Sequence, residues 1–141
     1  MLDRKALIDQ LKRHEGSVTE NGWHRIYYDS VGIATIGYGR NLEDKGLAED
    51  EAEFLLGNDV DEAILDCQTL PFWNRLDPVR QQVLANMVFN IGFNRFLDFK
   101  NTIAAIERGD FKTAAEEMLD SKWARQVGPR AKELAEMMEG D

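Results

Sequence analysis

The chain has 141 residues, 17 basic against 26 acidic, and a formal charge of −9. That length suits one domain, which buries about 68–70% of its unfolded surface without staples, and the single Cys67 excludes an internal disulfide and fits a reducing compartment. The acidic balance argues against nucleic-acid binding, which needs clustered Lys and Arg. No stretch approaches the ~18 apolar residues of a membrane span, and Met1–Leu11 carries charges where a secretion signal needs an apolar core.

Leu7, Ile8 and Leu11, with Asp3 as cap, predict a short amphipathic helix that ends near Glu15-Gly16. From Ser17 to Gly39 the residues turn β-branched and aromatic (Trp23, Ile26, Tyr27, Tyr28, Val31, Ile33, Thr35, Ile36, Tyr38), punctuated by glycines. That pattern predicts a small antiparallel sheet with a tight turn over Asp29-Ser30-Val31-Gly32. After about Ala48 the period becomes helical. Ala52, Leu55, Leu56, Val60, Ala63, Ile64 and Cys67 form one set, stopped by Leu70-Pro71. Asp77-Pro78 opens a second long helix, with Val79, Val83, Leu84, Met87, Val88 and Ile91 on its apolar side and Gly92 at its close. Shorter helices are expected around Thr102–Arg108, Phe111–Leu119 and Pro129–Met138. The fold class is α+β: a single domain over 1–141, with a β-rich lobe at about 17–47 and a helical lobe made of 1–16 and 48–141. A cleft between such lobes is the expected binding site.

Glu15 lies at a helix C-terminus, where the backbone dipole favours the protonated carboxyl, as a general acid requires. Asp29 lies in a polar turn that suits an ionised carboxylate. Such a pair is what glycoside hydrolysis uses. Among 26 acidic residues many pairs can be nominated, so the neighbours must decide.

They do. His14-Glu15-Gly16, followed by Tyr27-Tyr28-Asp29-Ser30-Val31-Gly32-Ile33-Ala34-Thr35-Ile36-Gly37-Tyr38-Gly39, resembles the signature of the T-even phage lysozymes. Asp50–Glu53 with Asn58–Asp61 resembles that family's long inter-lobe helix, and Asn86–Gly92 its buried central helix. Lys122-Trp123, Gln126 and Arg130-Ala131 are similar to its later segment. The resemblance implies a lysozyme-like fold and a muramidase, an endolysin that cuts the β-1,4 bond between N-acetylmuramic acid and N-acetylglucosamine in peptidoglycan. It implies Glu15 as general acid, Asp29 and Thr35 as holders of the attacking water, and an inverting reaction with the carboxyl groups roughly 6.5–9.5 Å apart. It places Phe89, Asn90 and Gln126 at the substrate and Arg130 beside the acid. It further implies a monomer that acts on glycan strands, without cofactor, metal, nucleic acid or membrane insertion. The enzyme would wait in the host cytoplasm for release through a holin; a tail-borne or prophage role is equally compatible with the sequence.

His14 and His24 lack the neighbours a zinc site needs and read as surface or packing residues. Trp123 reads as a packed helix residue, Met118, Met137 and Met138 as gap-fillers, and Cys67 as a small buried hydrophobe. Several features depart from the T-even pattern. Ser17–Asn21 lengthen the first turn, and Arg40 stands where that relative has histidine. The linker after Gly39 is shorter and less helical sequence follows Arg130, as expected of a compact version, and the net charge is acidic where better-known members are basic. Lys122, Arg125, Arg130 and Lys132 offer a local basic cluster in compensation. The alternatives are a lytic transglycosylase, which needs chiefly the acid, and a non-catalytic peptidoglycan-binding module.

Overall fold

The computed structural model describes residues 1–141, and its first helix, α1 (Arg4–Glu15), starts where the Asp3 carboxylate accepts the Ala6 N–H at 3.0 Å. Lys12, Arg13 and His14 occupy the last turn, where cations suit the dipole. Gly16 ends the helix with φ +65°, and its N–H returns to the Lys12 carbonyl. Ile8 is half-buried, while Leu7 and Leu11 lie exposed.

Two small antiparallel sheets follow. Strands β1 (Thr19–Glu20) and β2 (Trp23–His24) form a hairpin turned by Asn21-Gly22, both with positive φ, at 52° and 84°. Asn-Gly is the favoured pair for this turn because both central residues must be left-handed. Strands β3 (Tyr27–Tyr28), β4 (Ala34–Ile36) and β5 (Arg40–Asn41) form the second sheet in that order, with Thr35 opposite Tyr27 on one side and Asn41 on the other.

Strands this short need help from their loops. Asn41 and Asp44 exchange side-chain and backbone hydrogen bonds, and the Arg40 guanidinium bonds the Gly46 carbonyl and pairs with Glu51.

The long helix α2 (Glu49–Gln68) begins with Glu49, Asp50 and Glu51 at its positive end, and the Glu51 carboxylate accepts the Ala48 N–H at 2.8 Å. Gly57 does not break it. Two compact units, Met1–Glu53 and Phe54–Asp141, divide the chain, and α2 runs from the first into the second. Of its expected apolar set, Ala63 and Cys67 are buried, whereas Leu55, Leu56 and Val60 are exposed.

The second unit is helical. A 3-10 turn over Trp73–Arg75 leads to α3 (Pro78–Ile91), which Asp77 caps through the Arg80 N–H. Gly92 closes α3 and at once opens α4 (Phe93–Leu97), then come α5 (Lys100–Glu107), α6 (Phe111–Leu119), α7 (Lys122–Val127) and α8 (Pro129–Glu139). Asp110 caps α6 and Ser121 caps α7. Val83, Leu84, Met87, Phe96, Met118 and Met138 fill the centre of the core. Ala114 and Ala115 on α6 and Ala131 and Ala135 on α8 are buried small residues, and these two helices pack against each other. Arg80 fastens the last helix: it donates to the carbonyls of Met138 (2.7 Å) and Glu139 (2.8 Å) and lies over the Phe111 ring. A cation there also opposes the negative end of α8.

Charge is distributed as unevenly as the folds are. Between Glu43 and Asp66 stand ten acidic residues and one lysine, so this stretch carries the whole formal charge of −9. The flanking segments nearly balance.

Candidate active site

Glu15 is the last residue of α1, and its side chain lies across the backbone of Gly39, at the far end of the glycine-rich segment after β4. A Cβ added at Gly39 would come within 3.1 Å of Glu15 Oε2 and 3.3 Å of its Cδ. Gly39 also has φ +87°, a conformation that side chains other than hydrogen resist. The second glycine of Thr-Ile-Gly-x-Gly therefore has two local reasons to be glycine. One is the turn it makes, and the other is the carboxyl group laid on it.

Asp29 is held by the turn that follows it. Its Oδ1 accepts the N–H groups of Val31 and Ile33, both at 2.9 Å, while Gly32 N–H closes the turn onto the Asp29 carbonyl. One carboxylate oxygen is thus fixed by the backbone, and Oδ2 remains for another donor. Thr35 is 5% exposed, and its hydroxyl donates to the Ile33 carbonyl at 2.9 Å. Its oxygen lone pairs are left to accept. Asp29 and Thr35 are therefore tied to the same residue: Ile33 donates its N–H to the Asp29 carboxylate, and its carbonyl accepts both the Asp29 N–H at 3.0 Å and the Thr35 hydroxyl.

Glu43 adds a support that pattern reading does not find. Its carboxylate accepts the Ala34 N–H at 2.9 Å, while Ala34 gives its carbonyl to Leu42 N–H. Asp29 and Glu43 thus hold successive amides, Ile33 and Ala34, immediately before Thr35. Arg40, which replaces a histidine of the T-even pattern, pairs with Glu51; the guanidinium first, then the Ala48 N–H, lowers the Glu51 carboxyl to about 2. No group of three or more His, Cys, Asp and Glu side chains is gathered as a metal site would require.

The remaining expected site residues belong to the second unit. Asn90 accepts the indole N–H of the buried Trp123 at 2.8 Å, so α3 and α7 are cross-linked through it. The partly buried Arg130 is bonded to the Asn86 side chain at 2.7 and 3.0 Å. Phe89 is exposed and lines a cavity of about 320 Å³ together with Asn86 and Arg130. Gln126 lines a larger one, about 600 Å³, with Trp123, Phe99, Lys122 and Glu117. Trp123 is thus both a packed residue and part of a cavity wall. His24 sits edge-on against Tyr38 at 5.2 Å, as a packing histidine does.

A family model described as phage lysozyme matches residues 12–138. The chain is similar to two proteins of Dictyostelium discoideum named probable T4-type lysozyme 1 and 2, at 28% and 29% identity, over 95% of this chain and 94% of each relative. It is also 24% identical to the pre-baseplate central spike protein Gp5 of Enterobacteria phage T4, over 89% of this chain but 26% of that one. A match that runs from the last turn of α1 into α8 leaves one assignment: the chain belongs to the phage lysozyme family.

Proposed function

We propose that this chain is a muramidase that hydrolyses the β-1,4 bond between N-acetylmuramic acid and N-acetylglucosamine in peptidoglycan. Glu15 donates its proton to the glycosidic oxygen as the bond to the anomeric carbon breaks. Water adds to that carbon from the opposite face, and Asp29 takes its proton through the unoccupied Oδ2. Thr35 accepts a hydrogen bond from the same water, since its own hydroxyl proton is already directed at Ile33. Such a water-mediated attack inverts the anomeric centre and calls for carboxyl groups roughly 6.5–9.5 Å apart.

The observation that carries this reading is how the two carboxyl groups are held. Asp29 has one oxygen pinned by two backbone amides, which leaves Oδ2 to take a water. Glu15 sits at the end of α1 over bare glycine backbone. Binding of the glycan would fall to Phe89, Asn90 and Gln126, with Arg130 as a supporting cation.

The test is lysis of outer-membrane-permeabilised Gram-negative cells by wild type, Glu15→Gln and Asp29→Asn, followed by analysis of the released ends. Reducing ends from wild type and loss of lysis in both folded variants support the hydrolase. Anhydro ends would make it a lytic transglycosylase. Binding to sacculi without release of any product would make it a binding module.

A further inference from the structure

The hairpin β1–β2 starts within Ser17–Asn21, the residues that lengthen the first turn relative to the T-even pattern, and it presents an unpartnered aromatic side chain. Trp23 is 66% exposed. The other two tryptophans, Trp73 and Trp123, are buried in the second unit. A single exposed apolar residue ordinarily needs no explanation. The setting of this one does.

The Asn21-Gly22 turn fixes the hairpin in one register, with Glu20 opposite Trp23 and Thr19 opposite His24. Cross-strand partners share a face and successive residues alternate, so Glu20 and Trp23 lie on one face and Thr19 and His24 on the other. The second face is anchored: His24 packs on the Tyr38 ring, which in turn lies under the Lys12 ammonium at 5.2 Å. The first face lies opposite that contact, with Glu20 and Trp23 both exposed. On it, Glu20 sits beside Trp23 and forms a loose ion pair with Arg25 at 3.9 Å, and the Arg25 N–H closes the hairpin onto the Val18 carbonyl. Two residues later the chain enters β3, which leads directly to Asp29.

We infer that the Glu20–Trp23–Arg25 face of this hairpin is a binding site for the glycan strand, a subsite that extends the contact made around Asp29. This rests on the muramidase reading above. The chemistry matches a pyranose. An indole supplies a flat apolar surface for the C–H face of the ring or for an N-acetyl methyl group. A carboxylate and a guanidinium beside it supply an acceptor and donors for the hydroxyl and amide groups at the ring's edge. The hairpin is preorganised, so little ordering cost falls on the bound state. A protein partner is the weaker occupant, because a face of three side chains offers far less than the roughly 800 Å² per side of a stable interface.

The experiment uses Glu15→Gln as parent, so that the ligand survives, and glycan strands stripped of their stem peptides by an amidase as the probe. With Trp73 and Trp123 buried, the long-wavelength tryptophan emission belongs to Trp23. Added glycan is expected to shift that emission to shorter wavelength, with no shift in the parent carrying Trp23→Phe. In co-sedimentation with sacculi, Trp23→Ala is expected to weaken binding by about tenfold, and Trp23→Phe by less. Unchanged emission at saturating glycan, or equal binding by Trp23→Ala, overturns the proposal. So does a change of oligomeric state in Trp23→Ala, which would make the face a self-contact. If wild type lyses cells but Trp23 senses no glycan, this inference fails alone. If wild type neither lyses cells nor binds sacculi, the muramidase reading fails and takes the inference with it.

Discussion

Replacing Gly39 by alanine tests whether the Glu15 carboxyl group is positioned by the bare backbone beneath it. Two costs arise, and they are separable. The left-handed backbone at φ +87° costs an alanine about 1–2 kcal/mol, whatever surrounds it. The new methyl group meets Glu15 Oε2 at 3.1 Å, Cδ at 3.3 Å and Cγ at 3.4 Å, so the side chain must yield by a few tenths of an ångström. Its far end is flexible, so this second cost falls on the aim of the acid and hardly on stability. A displacement of ~1 Å at a reacting group costs about a hundredfold in rate, and a smaller one about tenfold. Gly109 provides the control: it has φ +76° with nothing within 4 Å of its Cβ position, at the end of α5. Gly39→Ala and Gly109→Ala should each lower the melting temperature by roughly 3–8 °C. Gly39→Ala alone should reduce kcat for reducing-end release, by about tenfold, with KM little changed. A Gly39→Ala protein with wild-type kcat would refute the argument that Gly39 seats the acid.

The Glu51 carboxyl group, lowered from its usual 4.5 to about 2 by Arg40 and then by the Ala48 amide, contributes stability that is complete above its unfolded pKa. That contribution should fade as pH drops from about 4.5 towards 2, so the stability difference between wild type and Glu51→Gln should shrink over that window in acid denaturation series. Removing the Arg80 guanidinium as Arg80→Met leaves the carbonyls of Met138 and Glu139 without their donor, and should cost about 2–3 kcal/mol in urea unfolding. Wild-type stability in that variant would mean that the end of α8 is held by packing alone. Because anionic walls repel the acidic stretch between Glu43 and Asp66, lytic rate should be low at about 0.01 M salt and rise towards 0.1 M as the Debye length falls from about 30 to 10 Å. The triple variant Asp59→Asn, Asp61→Asn, Glu62→Gln should flatten that dependence; an unaltered salt profile would discard the electrostatic account.

Much of the fold is written in short-range signals. Asp3 and Gly16 bound α1, Asp77-Pro78 opens α3, and Phe111–Leu119 is a helix with those ends, because each carries a cap or a stop that acts within four residues. Helices α4 and α7 escape pattern reading. At five and six residues they are too short to display a period. Ser121 ahead of Lys122 was the available sign of α7, and Gly92 reads as an end when it is both an end and a beginning. Within the site, Glu15, Asp29 and Thr35 are legible from the Glu-Gly and Thr-Ile-Gly-x-Gly motifs together. The seat of Glu15 on Gly39 is not, since it joins segments 24 positions apart through a contact without side-chain chemistry. Glu43 is equally hidden: in sequence it is one more acid in an acidic run, and only its bond to the Ala34 amide distinguishes it. Arg40 signals a changed ion pair, but its choice of Glu51 depends on how the loop to α2 is folded.

Cys67 has a consequence outside the chemistry of the site. It is fully enclosed by the core of the second unit, and burial first, then the nearby Asp66, raises its thiol to about 11. In the folded chain that sulfur is therefore shielded and almost entirely unionised at neutral pH, so oxidants have little to attack. Once the helical core opens, the same sulfur becomes an ordinary accessible thiol. The rate at which a thiol reagent labels the unmodified protein thus acts as a clock for opening of that core, with no engineered probe required.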